Sequence, residues 1–332
     1  MGGWLITGSF LVFAMVVVGG ITRLTGSGLS MVDWNPIIGA IPPMGQDAWL
    51  DAFTRYQESP QFKTVNSQFT LDDFKSIFWW EYIHRLLGRL IGLVFFIPFV
   101  YFLIKNWLSK PLIKKCLVMF LLGGLQGLLG WYMVKSGLVN NPNVSHFRLA
   151  IHLFTATVLF GYILWVALDV LWPNTQKVRG IITVRRMARG LLLLLLLQII
   201  FGAFVAGLKA GLVYNTFPKM GPYWVAEGVT ALTPLWKNFT EGLAGVQFAH
   251  RYLAYAVACL AIVIATMSHR LPLDRSQSWS VNVLLCLVAM QFVLGVFTLV
   301  YAVPIILGVL HQAFGLLLFG SVVVLNQRIT NT

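Results

Sequence analysis

Hydrophobic residues in this chain run on without interruption at approximately 4–22, 78–104, 116–134, 149–171, 187–208, 243–267, 280–302 and 304–326. Crossing a bilayer as a helix takes about 20 such residues, so the pattern predicts eight transmembrane helices. The last two runs are parted only by Ala302-Val303-Pro304; Pro304 cannot continue the hydrogen bonding of the preceding helix and is suited to open the next one. The first run has no basic segment before it and no small-residue cleavage site after it, which predicts a retained span rather than a signal peptide. Two long polar stretches interrupt the runs, 23–77 and 209–242. Both are rich in aromatics and turn formers, as in Ile41-Pro-Pro and Asn215-Thr-Phe-Pro, and are expected to cap the helices on one side. Within the first, 48–56 has the pattern of a short amphipathic helix, at the membrane interface or in a solvated loop.

The hydrophobic pattern also repeats. Gly19, Gly28 and Leu29 recur as Gly202, Gly211 and Leu212, His84-Arg85 as His250-Arg251, Gln126 and Gly130 as Gln291 and Gly295, and His152 as His311. Each copy holds four spans, an even number, so both copies enter the membrane in the same sense about an axis along its normal. The expected fold is therefore an all-α polytopic membrane protein built as two pseudo-two-fold related four-helix bundles. Their bounds are 1–172 and 187–332, with a linker at 173–186.

Composition agrees with this class: 58% hydrophobic and 11% charged residues in 332 positions leave too little charge to coat a soluble globule, and exclude disorder. Three cysteines exclude a disulfide scaffold; Cys116, Cys259 and Cys286 lie in or beside apolar runs and are read as small packing residues. The net charge of +13 is a topology signal and calls for no nucleic acid. One set of loops and ends carries twelve bases against two acids, a net of +10, and the other nine bases against eight acids. The positive-inside rule then puts both termini on the cytoplasmic side, or the matrix side in an organelle, and the two long loops outside.

Four of the six histidines fall at matching places: His84, His152, His250 and His311, each in an even-numbered span and roughly 5–10 Å below its outer end at 1.5 Å per residue. Two imidazoles from facing helices of a four-helix bundle are a way to hold a haem iron from both faces. Zinc or a di-iron centre would want further carboxylates or thiolates, and within the spans only Glu81 is near. Glu81 lies one helical turn before His84, whereas the position before His250 is Gln247. A carboxylate in hydrocarbon beside a metal ligand is costly to keep and is a candidate for chemistry; the alternative is a hydrogen-bonding role like that of Gln247. The asymmetry marks the first bundle as reactive and the second as an electron-transfer or structural site. Arg85, Arg89 and Arg251 lie at the same level, placed to pair with haem propionates or to snorkel to lipid headgroups. His146 and His269 are assigned no role.

These residues sit in longer motifs: Gly19-Gly-Ile-Thr-Arg-Leu-Thr-Gly-Ser-Gly-Leu-Ser-Met-Val-Asp-Trp34, Glu81-Tyr-Ile-His-Arg85, Gln126-Gly-Leu-Leu-Gly-Trp-Tyr-Met-Val-Lys-Ser-Gly-Leu138, Arg148-Leu-Ala-Ile-His-Leu153, Gly202-Ala-Phe-Val-Ala-Gly-Leu-Lys-Ala-Gly211, Asn215-Thr-Phe-Pro-Lys-Met220, Gln247-Phe-Ala-His-Arg251 and Leu310-His-Gln312. Together they resemble the haem A synthases of the proteobacterial and mitochondrial branch along nearly the whole chain. The resemblance implies an oxidoreductase that oxidises a methyl group of haem O, its substrate, to the formyl group of haem A for terminal oxidases. It implies haem b held by His250 and His311, and substrate haem facing His84 and His152 with Glu81 as acid-base or charge-stabilising residue. It implies a bacterial cell membrane or mitochondrial inner membrane, with a haem O synthase and terminal oxidase assembly proteins as partners; the electron donor stays open, and a homo-oligomer is compatible with it. Another branch carries a cysteine pair in an outer loop; here no outer loop contains cysteine, which argues against a thiol-based step. The rival readings are a dihaem b-type cytochrome passing electrons from quinol and a parallel-repeat transporter. The Glu81/Gln247 asymmetry speaks against the first, and an apolar midplane against the second.

Overall fold

A computed structural model describes residues 1–33, 38–138, 142–172 and 180–330. Of the linker expected at 173–186, residues 173–179 lie outside the described residues, and helix already begins at Ile182, so its second half belongs to the following span. Among the described residues eight long helices are apolar enough to span a membrane: α1 (Gly2–Leu24), α4 (Leu71–Ile104), α5 (Lys110–Gly137), α6 (His146–Leu171), α7 (Ile182–Gly207), α8 (Leu243–Ser268), α9 (Arg275–Val300) and α10 (Ile305–Thr330), with the short helices α2 (Gln46–Gln57) and α3 (Pro60–Thr64) between α1 and α4. Among the described residues no strand forms; Met220 and Tyr223 make one isolated bridge. The chain is an all-α polytopic membrane protein.

Several helices outrun their apolar cores because their first turns carry their own caps. α4 starts at Leu71 rather than at 78, its free N–H groups closed by a Thr70/Asp73 capping box. α5 starts beyond Ser109, whose side chain accepts from Leu112 N, and α9 begins with an Asp274/Gln277 capping box. Such caps satisfy the donors that a helix start leaves orphaned, so the helix survives where hydropathy has already fallen.

The chain forms two compact units, Ala14–His152 and Met1–Phe13 with Leu153–Thr332. In the second, α7 packs on α8, α8 on α9, α9 on α10 and α10 back on α7, a closed ring in which α8 and α10 lie diagonally opposite. The ring is sealed by polar contacts as well as apolar ones: buried Asn326 on α10 donates to the carbonyl of Ala188 on α7 at 3.0 Å.

In the first unit the 46–66 segment lies on the start of α4. Tyr56 and Phe74 stack at 5.0 Å between ring centroids, and Trp49 meets Phe78 edge-on at 4.9 Å. The apolar side of α2 is thus covered by protein, and its amphipathic pattern serves packing. Asn66 donates to the Tyr56 hydroxyl (2.8 Å), Tyr56 to Gln61 (3.2 Å) and Gln61 to the carbonyl of Gly26 (2.7 Å), so a buried chain of hydrogen bonds ties this cap to the end of α1. Burial, against the pull of the Asn66 hydrogen bond, pushes the Tyr56 phenol above its ordinary pKa and keeps it a donor. In the second unit the 208–242 segment folds over the start of α8 around Met220, Ala226, Val229 and Ala244. Fully buried Asn238 organises it, accepting from Leu232 N and donating to the carbonyls of Leu232 and Leu235.

Candidate functional site

Each of the four matched histidines lies in the early part of its helix, on α4, α6, α8 and α10, and each is partly exposed rather than sealed. Each also faces a glycine of the neighbouring helix. A Cβ at Gly19 would stand 3.0 Å from His84 Nε2, at Gly130 3.2 Å from His152 Cε1, at Gly202 3.2 Å from His250 Cε1 and at Gly295 3.0 Å from His311 Cε1. The repeated glycines of the sequence are therefore the floor on which the repeated imidazoles rest. Sequence reading saw the recurrence but did not set these glycines against the histidines; their constant company with the histidines in both copies was the available signal.

In the second unit, His250 and His311 come together from the diagonal helices α8 and α10, with ring centroids 6.3 Å apart and planes at 79°. At this spacing the two rings would be the residues to hold an iron between them. His250 Nδ1 is buried with no partner, as are Gln198 Oε1 and Gln291 Oε1 beside the pair. Gln291 lies 3.2 Å from His311 Nδ1, and Gln198 donates to the backbone carbonyl of His250 at 3.0 Å. Two imidazoles with unsatisfied nitrogen and amide groups around them, on a glycine floor, would suit holding a haem iron. Among the described residues no group of three or more His, Cys, Asp or Glu side chains gathers, a donor set poor for zinc.

In the first unit, His84 and His152 are within electrostatic reach of each other. One turn before His84, Glu81 is 2% exposed, which for a carboxylate demands partners. Its Oε2 accepts from Ser30 Oγ (2.7 Å) and Met31 N (2.8 Å), and its Oε1 from Arg85 at 2.6 Å. Arg85 also donates to the carbonyls of Met31 (2.9 Å) and Asp33 (3.0 Å). Glu81 and Arg85 thus clamp the segment that follows α1 onto the histidine-bearing face of α4.

The second unit builds the counterpart clamp from an uncharged amide that donates to its loop where Glu81 accepts. Gln247 donates to the carbonyls of Ala210 (2.9 Å) and Val213 and accepts from Arg251 at 3.1 Å, while Arg251 donates to the carbonyls of Tyr214 and, at 2.9 Å, Thr216. Arg85 and Arg251 are therefore loop anchors beside the histidines. What distinguishes the two clamps is the ionisable Glu81, and the ion pair it forms.

Two histidine pairs, each on glycine floors, thus lie among the spanning helices of a polytopic membrane protein. The family model described as cytochrome oxidase assembly protein, COX15-CtaA, matches residues 2–323. Relatives named heme A synthase are 47% identical in Flavobacterium johnsoniae (98% of this chain, 97% of the relative), 48% in Flavobacterium psychrophilum (96% and 94%) and 46% in Nitrosospira multiformis (98% and 92%). The chain belongs to the haem A synthase family.

Proposed function

We propose that this protein is a haem A synthase, an oxidoreductase that converts the methyl group of haem O to the formyl group of haem A for terminal oxidase assembly. The observation that carries the reading is the set of four glycine-backed histidines in a chain similar to heme A synthases over nearly its full length. His250 and His311 hold haem b, which when bound supplies electron transfer. His84 and His152 face the substrate haem O. Glu81, fixed by Ser30, Met31 and Arg85 one turn from His84, supplies negative charge where positive charge develops at the methyl carbon and is the group placed to take protons as hydroxyl and formyl forms appear. Because both its oxygens are already engaged, the geometry supports charge stabilisation more directly than proton transfer. Arg85 and Arg251 hold the loops over the two haems and set positive charge beside their propionates.

The division into an N-terminal bundle for substrate (1–172) and a C-terminal bundle for haem b (187–332) belongs to the same reading, supported by the repeat and by the closed ring of α7 to α10. The protein works in a bacterial cell membrane or mitochondrial inner membrane with both termini on the cytoplasmic or matrix side, beside a haem O synthase and oxidase assembly proteins. Haems extracted from membranes making the protein, with and without a haem O supply, test this. Haem A appearing only with haem O is expected; two b-type haems and no haem A in either case would point instead to an electron-transferring cytochrome.

A further inference from the structure

Beside the clamp of the first unit is a cleft of about 270 Å³ lined by Val32, Arg85, Trp131, Val134, Lys135 and Leu138. Its lining joins apolar side chains to two cations and contains no acid, the chemistry of a site for an apolar ligand with an anionic edge. It lies close to the site just described. Arg85 directly follows His84, and Trp131 directly follows Gly130, whose missing side chain leaves room for His152. Lys135 is five residues beyond Gly130 along α5, roughly 7 Å toward the helix end at 1.5 Å per residue. The cleft therefore lies beside the imidazole pair, toward the end of α5. At this size it takes the edge of such a ligand, since pockets that swallow a whole drug-sized molecule hold roughly 300–1,000 Å³.

The two cations differ in kind. The Arg85 guanidinium is fixed by Glu81 and the carbonyls of Met31 and Asp33. Lys135 is exposed, and its ammonium stands 4.9 Å from the Trp131 ring centroid; among the described residues it forms no salt bridge. The repeat isolates it further. The offset that pairs Gln126 with Gln291 and Gly130 with Gly295 pairs Lys135 with Val300. Lys135, like Glu81, thus lacks an ionisable counterpart in the other copy and belongs to the half that must take up and release a ligand on every turnover. A flexible ammonium recognises an anion as a point charge and lets it go readily, unlike a bidentate guanidinium.

We propose that Lys135, with Arg85 and the wall formed by Trp131, Val134 and Leu138, is the receptor for the propionate carboxylates of the substrate haem, making Lys135 a substrate-positioning residue. This rests on the haem O reading of the first unit. The test is an absorbance titration of the purified full chain, carrying its resident haem, with haem O and with the dimethyl ester of haem O. Lys135→Gln should weaken haem O binding by about five- to twentyfold, less than a buried charge-assisted hydrogen bond because Lys135 is exposed, and leave ester binding at the wild-type level; Lys135→Arg should keep the preference for the free acid. Equal weakening for acid and ester would make Lys135 structural only, and unchanged haem O binding in Lys135→Gln would make it a lysine that reaches solvent or lipid headgroups; either overturns the proposal. Wild-type protein that binds neither compound would overturn the haem O reading itself, and this proposal with it.

Discussion

At the scale of single residues, the site is governed by what is missing as much as by what is present. A methyl group at Gly202 would meet His250 at 3.2 Å, and one at Gly295 would meet His311 at 3.0 Å. An imidazole free to turn can yield a few tenths of an ångström; one held by iron on its far side cannot, and overpacking of this kind costs about 1–3 kcal/mol. Gly202→Ala is therefore expected to fold yet lose most of its low-spin haem b absorbance, as His250 and His311 replacements should. Gly190→Ala on the same helix, where a Cβ meets nothing within 4 Å, should retain it. Equal haem b in Gly202→Ala and wild type would detach the glycine floor from haem binding. The second residue-scale expectation concerns Glu81. Gln247 shows that an amide accepts from the same arginine position, but Glu81 also accepts from Ser30 Oγ and Met31 N, which an amide nitrogen cannot do, so Glu81→Gln should keep haem b in the second unit while removing both the negative charge and part of this set of contacts. Chromatography of extracted haems should then show haem O or a partly oxidised form accumulating with little haem A. Haem A at wild-type yield would leave Glu81 a loop anchor and nothing more.

At the scale of elements, the spans follow from hydropathy but their ends do not. The α9–α10 junction is the clearest instance. Ala302 N donates to Leu299 O at 3.0 Å and Val303 N to Thr298 O at 2.7 Å, the crossed pair of bonds that ends a helix with a left-handed residue. Ala302 and Val303 adopt φ of 55° and 59°, a region that costs L-residues roughly 1–2 kcal/mol each. Pro304 marks the break in sequence, but without glycine beside it nothing local announces the left-handed turn. Thr298 anchors it by donating to the carbonyl of Leu307 on α10 at 3.2 Å. Ala302→Gly should accordingly raise thermal stability in detergent by about 0.5–1 kcal/mol without changing haem content; a lower melting temperature would show that the alanine methyl makes contacts worth more than the strain.

At the scale of the whole molecule, charge rather than packing carries the orientation. The imbalance of +10 against nearly zero is the basis of the proposed orientation, with the long loops and the histidine ends of α4, α6, α8 and α10 on the outer side. A reporter that works only in the cytoplasm should be active when fused after Arg328 or within 173–186 and silent within 24–77. Activity from the 24–77 fusion would invert the molecule and move haem chemistry to the cytoplasmic side.

The sequence by itself determined the class, the eight spans and the four histidines, because transfer of apolar side chains to lipid is nearly additive along a chain and imidazoles are rare in such surroundings. It also exposed the repeat, and through it the contrast of Glu81 with Gln247. Only the tertiary structure decided what these positions touch. That Gly19, Gly130, Gly202 and Gly295 each face a histidine on the next helix, that Glu81 and Arg85 grip Ser30, Met31 and Asp33, and that Lys135 shares a cleft with Arg85 are all contacts between segments that no local pattern brings together. They arise because helices confined to one slab must pair their small and polar positions with one another, and that pairing is a property of the packed set rather than of any one stretch of chain.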